Sequence, residues 1–359
     1  MPTIHTEYFD QTDQQEPVEC FVLRNDAGMV VKLVPIGASV QSLIVPDKHG
    51  QPVDIALGYD HAAGYLANPE YLGCTVGRCA NRITGAQFDL EGETHALSKN
   101  AAGIHLHGGA TGISRQLWTS TMERSQSDGG LSVSFYHESP DGEDGYPGKL
   151  SLRVRYTLDD NQSLHIEHFA RTDQPTIVNL CNHSYFNLNG HDAGSITDHE
   201  LRLFSEQYTP TNDDLLPTGE LADLTPVLDF RKARRIGEHL NHPDLAITGG
   251  YDHNFVIPQG KKRMTLAAIM TAERSGILMS VSTTEPAMQL YTANHLALDN
   301  AKGGGSYLRY EGVCLETQRF PDAINQPNFP SVVLAPDDLY YSKTVYRFGR
   351  LKNTASTDS

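Results

Sequence analysis

The chain predicts an all-β fold of antiparallel strands, a sandwich or a barrel, and three observations carry the prediction. Apolar and polar residues alternate with a period of two along run after run. Turn signals such as Asp-Gly, Gly-Gly and proline recur between the runs, as sheets joined by tight turns require. Helical periodicity is scarce, and short strands at this spacing without long intervening helices point away from a βαβ fold.

Taken in order, "VECFVLRN" (18–25), "MVVKLVP" (29–35) and "ASVQSLIVPD" (38–47) open the chain with three such runs. "LSVSFYHES" (131–139), "SLRVRYTLD" (151–159) and "SLHIEHFART" (163–172) repeat the pattern, rich in β-branched and aromatic residues. "GILMSVST" (276–283) and "AMQLYTAN" (287–294) repeat it again. The best helix candidate is "DFRKARRIGEHL" (229–240), with Asp229 as N-cap. No internal repeat, low-complexity linker or composition break divides the chain, which predicts one domain over residues 1–350 and a flexible tail over 351–359.

The bulk properties set the surroundings. With 359 residues, 39% of them hydrophobic, the chain can bury a large core. A formal charge of −16, from 44 acidic and 28 basic side chains, repels phosphate backbones and anionic membranes. The polar, acidic N-terminus does not read as a signal peptide, and no stretch approaches the ~20 apolar residues of a membrane span. Five cysteines without a CxxC pair read as reduced thiols. These features predict a soluble cytoplasmic protein with neither nucleic acid nor membrane as partner.

Polar residues cluster around glycine-rich turns. "IHLHGGATG" (104–112) puts His105 and His107 two apart, hence on one face if extended, and alternating histidines of this kind suit zinc. No cysteine or acidic ligand lies at helpful local spacing, so no metal site is expected. "NHSYFNLNG" (182–190) sets His183 beside Tyr185, "GRCANRITG" (77–85) carries Arg78, Asn81 and Arg82, and "GGYDHNF" (249–255) carries Asp252. In "CLETQRFPDAINQPNFP" (314–330), alternation places Glu316 with Cys314 on the face opposite Val313 and Leu315. Singly, each cluster reads equally as a turn cap or a solvated end.

Together and in this order, "GRCANRI", "LHGG", "NHSYFNL", "GYDHNF", "QLYTANHL" and "CLETQRFPDAINQPNFPSVVLAP" resemble the aldose 1-epimerase (galactose mutarotase) family. The resemblance implies a large twisted antiparallel β-sandwich, the supersandwich, with few short helices. It implies an isomerase without cofactor or metal that interconverts the α and β anomers of free aldohexoses. It assigns Glu316 as general base and His183 as general acid. Asn81, Arg82, His107, Tyr185, Asp252 and Gln289 become contacts to a monosaccharide, with Arg78 a rival to Arg82. The mechanism so implied has an imidazolium His183 at neutral pH, a carboxylate on the acidic limb of the pH profile and a histidine on the alkaline limb. Two departures bear on substrate preference: "YTANHL" stands where "YTGN" is commoner, and a second histidine precedes "LHGG".

Three other readings stay open on the residues alone. A hexose 6-phosphate mutarotase needs extra cations, for which "FRKARR" (230–235) is the candidate. A glycoside hydrolase needs two carboxylates, for which Glu316 and Asp252 would serve. A non-catalytic sugar-binding module needs no acid–base pair. The preferred aldose is not written in these residues, nor is the choice between monomer and homodimer.

Overall fold

The computed structural model of the protein describes residues 2–100, 103–124, 130–258 and 264–351. Three antiparallel sheets dominate it. The N-terminal sheet is a meander of five strands, Thr3–Gln11, Pro17–Arg24, Val30–Val34, Ser39–Pro46 and Pro52–Asp54, each hydrogen-bonded to the next. A nine-stranded sheet begins with Thr119–Arg124, Leu131–Ser139, Leu150–Leu158 and Ser163–Thr172 in sequence order. The last strand of the chain, Tyr340–Arg350, then inserts between Ser163–Thr172 and Ile277–Thr283, followed by Thr265–Ala272, Glu200–Leu203 and Arg234–Arg235. The six-stranded sheet runs Tyr185–Phe186, Val313–Gln318, Ala287–Tyr291, Asp252–Val256, Gln207–Thr209, Ala222–Asp223.

The period-two runs are strands because one face of each is covered. Leu150–Leu158 and Ile277–Thr283 alternate buried positions with half-buried or exposed ones along their whole length. Residues of all three sheets meet in one core, among them Leu33 and Leu43 of the first, Phe135, Ile166 and Tyr346 of the second, and Leu290 and Leu315 of the third. This is the layered, twisted antiparallel β architecture that the resemblance implied. Among the described residues no helix is long and apolar enough to cross a membrane. Residues 352–359 of the expected tail lie outside the described residues.

The helix expected over 229–240 does not form. Asp229 instead accepts bonds from the backbone and guanidinium of Arg231 two residues on, closing a local turn. Arg234–Arg235 then pairs with Glu200 and Leu201 as the edge of the nine-stranded sheet, and Ile236–His239 is one 3₁₀ turn. Phe230 and Ile236 are both fully buried, and the edge pairing between them lets both reach the core. The α-helix of the described residues is the six-residue Ala62–Ala67.

One buried ion pair fastens a late loop to the first sheet. Lys302 Nζ donates to Asp54 Oδ2 at 2.7 Å and to the carbonyls of Gln41 and Ala56 at 2.8 and 2.6 Å. Asp54 also accepts from Ser42 Oγ and from the backbone of Leu43 and Ala56, so both of its oxygens are engaged. Ala56 bridges to Phe186, and the Leu57 N–H donates to the Tyr185 carbonyl, so this knot abuts the strand that follows His183. Removing one partner leaves the other charge buried and alone. Lys302→Met is therefore expected to lose about 3–5 kcal/mol of stability in urea unfolding; an unchanged midpoint would refute this account of the pair.

Candidate active site

Three neighbouring strands of the six-stranded sheet carry one polar face. Asn254 stands opposite Gln289, and Gln289 opposite Glu316, while Asp252 pairs with Tyr291 and Tyr291 with Cys314. Because side chains alternate, Asp252, Gln289, Tyr291, Cys314 and Glu316 share a face. Phe255, Met288, Leu290, Val313 and Leu315 take the other face and lie in the main core. Gln289 Nε2 donates to Asp252 Oδ1 at 2.5 Å, and an Arg82 terminal nitrogen lies 3.4 Å from Asp252 Oδ2.

Loops deliver the remaining groups. His183 sits between the short strands Cys181–Asn182 and Tyr185–Phe186, its N–H donating to the Cys74 carbonyl and its own carbonyl accepting from Gly73. That places His183 Nε2 3.5 Å from Glu316 Oε1, with the two side chains 5% and 3% exposed. The His183 ring packs on Tyr185 at 5.1 Å and, edge to face, on His107 at 5.1 Å. Arg82 pairs with Leu106 in a two-residue ladder, which brings "ANRI" beside "LHGG". There His107 Nδ1 accepts from the Asn81 N–H at 3.2 Å, and the Asn81 carbonyl accepts from the His107 N–H at 3.0 Å. Gly108 lets this loop close: a Cβ there would stand 1.6 Å from the Gly77 carbonyl oxygen.

These side chains line a cavity of about 210 Å³, together with Pro69, Glu70, Tyr71, Leu106, Tyr291 and His295. A larger cleft of about 400 Å³, beside Glu285, Arg319 and Tyr341, holds none of these acid–base residues. The family model for Aldose 1-epimerase matches residues 19–347. The chain belongs to the aldose 1-epimerase family. It is 40% identical to galactose mutarotase of Bos taurus over 333 residues, 92% of this chain and 94% of that one. It is 33% identical to aldose 1-epimerase of Escherichia coli (strain K12) over 338 residues, 93% of this chain and 96% of that one. In three dimensions it resembles galactose 1-epimerase from Lactobacillus acidophilus NCFM with a TM-score of 0.84 at 28% identity, covering 98% of this chain and 100% of that one. Its activity is that of a mutarotase, an isomerase acting on a sugar.

For an epimerase the location of protons matters most. Burial first, then the negative charge of Asp252, pushes the Glu316 carboxyl up to about 8. Burial pushes His183 down to about 4 against smaller opposing effects, including the attraction of Asp252. His107 lies well below the usual imidazole range, from burial and then from His183 and Arg82. In the empty cavity at neutral pH the proton of the pair therefore rests on Glu316, and both imidazoles are neutral. This reverses the imidazolium expected from the resemblance, and the reason is desolvation, which penalises charge on either partner.

The sequence-predicted residues divide plainly. Glu316, His183, Asn81, Arg82, His107, Tyr185, Asp252 and Gln289 all line the cavity. The Tyr185 hydroxyl is committed to the Glu70 carbonyl at 2.9 Å, so the ring is what it offers the site. Arg78 does not line the cavity: it is buried, with its guanidinium on Ser139 Oγ and on the carbonyls of Ser139, Pro140 and Pro147. His105 and His107 part company because His107 adopts a left-handed backbone at φ 50°. His105 turns into the structure, bonded to the Ser98 carbonyl and the Tyr146 hydroxyl. Glu70, Tyr71, Tyr291 and His295 were missed. Alternation from Gln289 already pointed to Tyr291, whereas nothing local marks Glu70 or Tyr71.

His107, His183 and Glu316 each offer one metal-ligating atom within 4.8 Å of the others, a grouping different from the His105–His107 pair. His107 Nδ1 already accepts from Asn81, so its neutral ring carries the proton on Nε2. Ligation through Nε2 would displace that proton and break the Asn81 bond. Prolonged chelation is accordingly expected to leave mutarotation unchanged; a rate lost to chelator and restored by zinc alone would overturn this. A second expectation concerns stability. Folded Glu316 holds its proton up to about 8, against 4.5 for an unperturbed glutamate, so its contribution is full below about 4.5 and is lost as pH rises through 8. Between pH 5 and 8 wild type should lose stability relative to Glu316→Gln, the gap widening by a few degrees in Tm. A gap that stays constant with pH would contradict a raised Glu316.

Proposed function

We propose that the protein interconverts the α and β anomers of free aldohexoses such as galactose and glucose, with Glu316 and His183 moving the protons. The observation that carries this reading is the 3.5 Å approach of Glu316 Oε1 to His183 Nε2 in a buried cavity, beside an Asp252 braced by Arg82 and Gln289.

Ring opening requires a proton to leave the C1 hydroxyl while another reaches the ring oxygen. Once sugar is bound, the shared proton passes from Glu316 to His183 across their 3.5 Å gap, so that carboxylate Glu316 takes the first and imidazolium His183 supplies the second. The C–O bond to the ring oxygen breaks, leaving a free aldehyde. Rotation about C1–C2 presents the other carbonyl face, and reclosure returns both protons. At the open-chain stage Glu316 is protonated and His183 neutral, which is the arrangement that burial favours in the empty cavity. The empty site thus carries the protonation pattern of the open-chain intermediate, which favours ring opening over the closed ring. His107 and Arg82 hold hydroxyls through their N–H groups. Gln289 Oε1, buried and without a partner among the described residues, accepts from another hydroxyl. Asp252 fixes the sugar while C1 turns.

The competing readings find less support. "FRKARR" does not line the cavity, and Arg231 and Arg234 are bound to Asp229 and to the carbonyls of Pro226 and Val227. Asp252 has one oxygen on Gln289 and the other by Arg82, which suits a brace rather than the second carboxylate of a glycoside hydrolase. A sugar-binding module has no use for a buried, proton-sharing pair. The family match over 19–347 supports reading 1–350 as one domain, and five buried free cysteines support a reducing, cytoplasmic setting.

Polarimetry on freshly dissolved α-galactose tests the proposal. Glu316→Gln should bind sugar but lose about two to four orders of magnitude in kcat. His183→Asn should lower kcat and kcat/KM together, whereas His107→Asn and Asp252→Asn should act more on KM. The pair keeps one proton between about 4 and 8, so activity should fall outside that range, with limbs that belong to the pair and not to either residue. Near-wild-type turnover in Glu316→Gln would remove it from the mechanism. Loss in His107→Asn with His183→Asn intact would move the donor role to His107.

A further inference from the structure

The rim of the cavity carries a carboxylate that the acid–base reaction does not use. Glu70 is half-buried at the cavity wall, where its backbone carbonyl is pinned by the Tyr185 hydroxyl at 2.9 Å. Among the described residues its carboxylate has neither a hydrogen bond nor an ion pair, and burial alone raises its pKa. An unpaired charge in a polar cleft is retained at a cost, since nothing there offsets its lost hydration.

The rest of the lining does not balance it. Arg82 is the one guanidinium or ammonium among the described lining residues, and it lies against Asp252. His107 and His183 are held neutral by burial, and Glu316 keeps its proton at neutral pH. Asp252 and Arg82 offset one another, which leaves Glu70 as the carboxylate of the cavity wall with no side-chain partner among the described residues. A further guanidinium, that of Arg115, stands behind Tyr71 at 5.5 Å from its ring. Its field reaches across the space: burial is the main reason that the phenols of Tyr71, Tyr185 and Tyr291 titrate high, and Glu70 adds to each. The cavity holds about 210 Å³, so a bound monosaccharide shares one small space with that carboxylate.

We propose that Glu70 is a specificity-determining residue that turns away aldoses carrying a negative charge, uronic acids and sugar phosphates alike, in favour of neutral ones. An anionic sugar brings a second negative charge into a dry site that offers no free cation, so it meets repulsion without a compensating pair. A neutral aldose meets Glu70 as a hydrogen-bond acceptor instead. The inference rests on the cavity being the sugar site, as proposed above.

The test compares galactose with galacturonate, which share the ring and differ in charge at C6. Mutarotation of both is followed by polarimetry for wild type, Glu70→Gln and Glu70→Lys at one pH. The wild-type preference for galactose in kcat/KM should fall about tenfold in Glu70→Gln and further in Glu70→Lys. Added salt should raise wild-type kcat/KM for galacturonate, leave that for galactose flat, and lose its effect in Glu70→Gln. A preference unchanged within about twofold in both variants, or equal losses for both sugars with the salt response intact, overturns the proposal. The wild-type control separates the two readings: failure to speed galactose mutarotation sinks the sugar site itself, whereas an active enzyme with an unaltered preference sinks Glu70 alone.

Discussion

Glu316 lies on the second strand of the six-stranded sheet, 2% exposed, with Val313 and Leu315 on the same strand packed into the main core. Holding that carboxyl away from water sets the chemistry of the site. A solvated glutamate would be ionised throughout the physiological range and could not hold the proton that the proposed mechanism gives it at the open-chain stage. The same desolvation acts on His183, in the opposite direction on its charge, so the pair behaves as a single proton carrier rather than as an ion pair. Cys181 and Cys314 complete the enclosure: one thiol donates to Glu316 Oε2 at 3.5 Å, and the other stands 3.7 Å from His183 Nδ1. Small, weakly polar groups at these two places keep the pair dry without offering a strong competing bond.

The surroundings carry the strain that such a site requires. Tyr71, Asn81, His107 and Ala293 all take left-handed backbone conformations, at φ 57°, 64°, 50° and 52°. The first three line the cavity, and Ala293 lies two residues past the strand of Gln289 and Tyr291. Each such residue costs about 1–3 kcal/mol and persists because its neighbours over-determine it. Asn81 is locked to His107 by two reciprocal bonds. Tyr71 is clamped between the His107 ring at 4.7 Å and the guanidinium of Arg115 at 5.5 Å. Tight turns here help to aim side chains from at least seven separate segments at one small volume, which regular strands alone could not do.

The division of labour between sheet and loops follows from this. The sheet supplies Asp252, Gln289 and Glu316 at fixed spacing on one face, where ladder bonds leave little freedom. The loops supply His183, His107 and Arg82, and each is tied back by backbone bonds to a neighbouring segment, not left to side-chain packing. The buried Lys302–Asp54 knot serves the same end further out, by fastening the segment against which Tyr185–Phe186 rests. In the proposed reaction a sugar entering the cavity would find its partners already oriented, and orientation is what a reaction with so little covalent change needs from its enzyme.

Strands were legible in the sequence wherever one face is core and the other is not, because alternation is imposed locally by the pleat. Glu316 was legible for the same reason: its parity with Cys314, against Val313 and Leu315, holds in the structure. Motif order brought the remaining expected contacts to one place. Local pattern misled over 229–240, where Phe230 and Ile236 reach the core through an edge pairing with Glu200 and Leu201, a contact across more than thirty residues that no helical period can report. It was equally silent on Glu70 and Tyr71, whose place in the wall depends on a turn rather than on a repeating face. The position of the shared proton was decided by tertiary structure alone. Residue identity supplied a carboxyl and an imidazole, but which of them is charged depends on how much water reaches both, and the closing of three sheets and several strained loops over one cavity determines that.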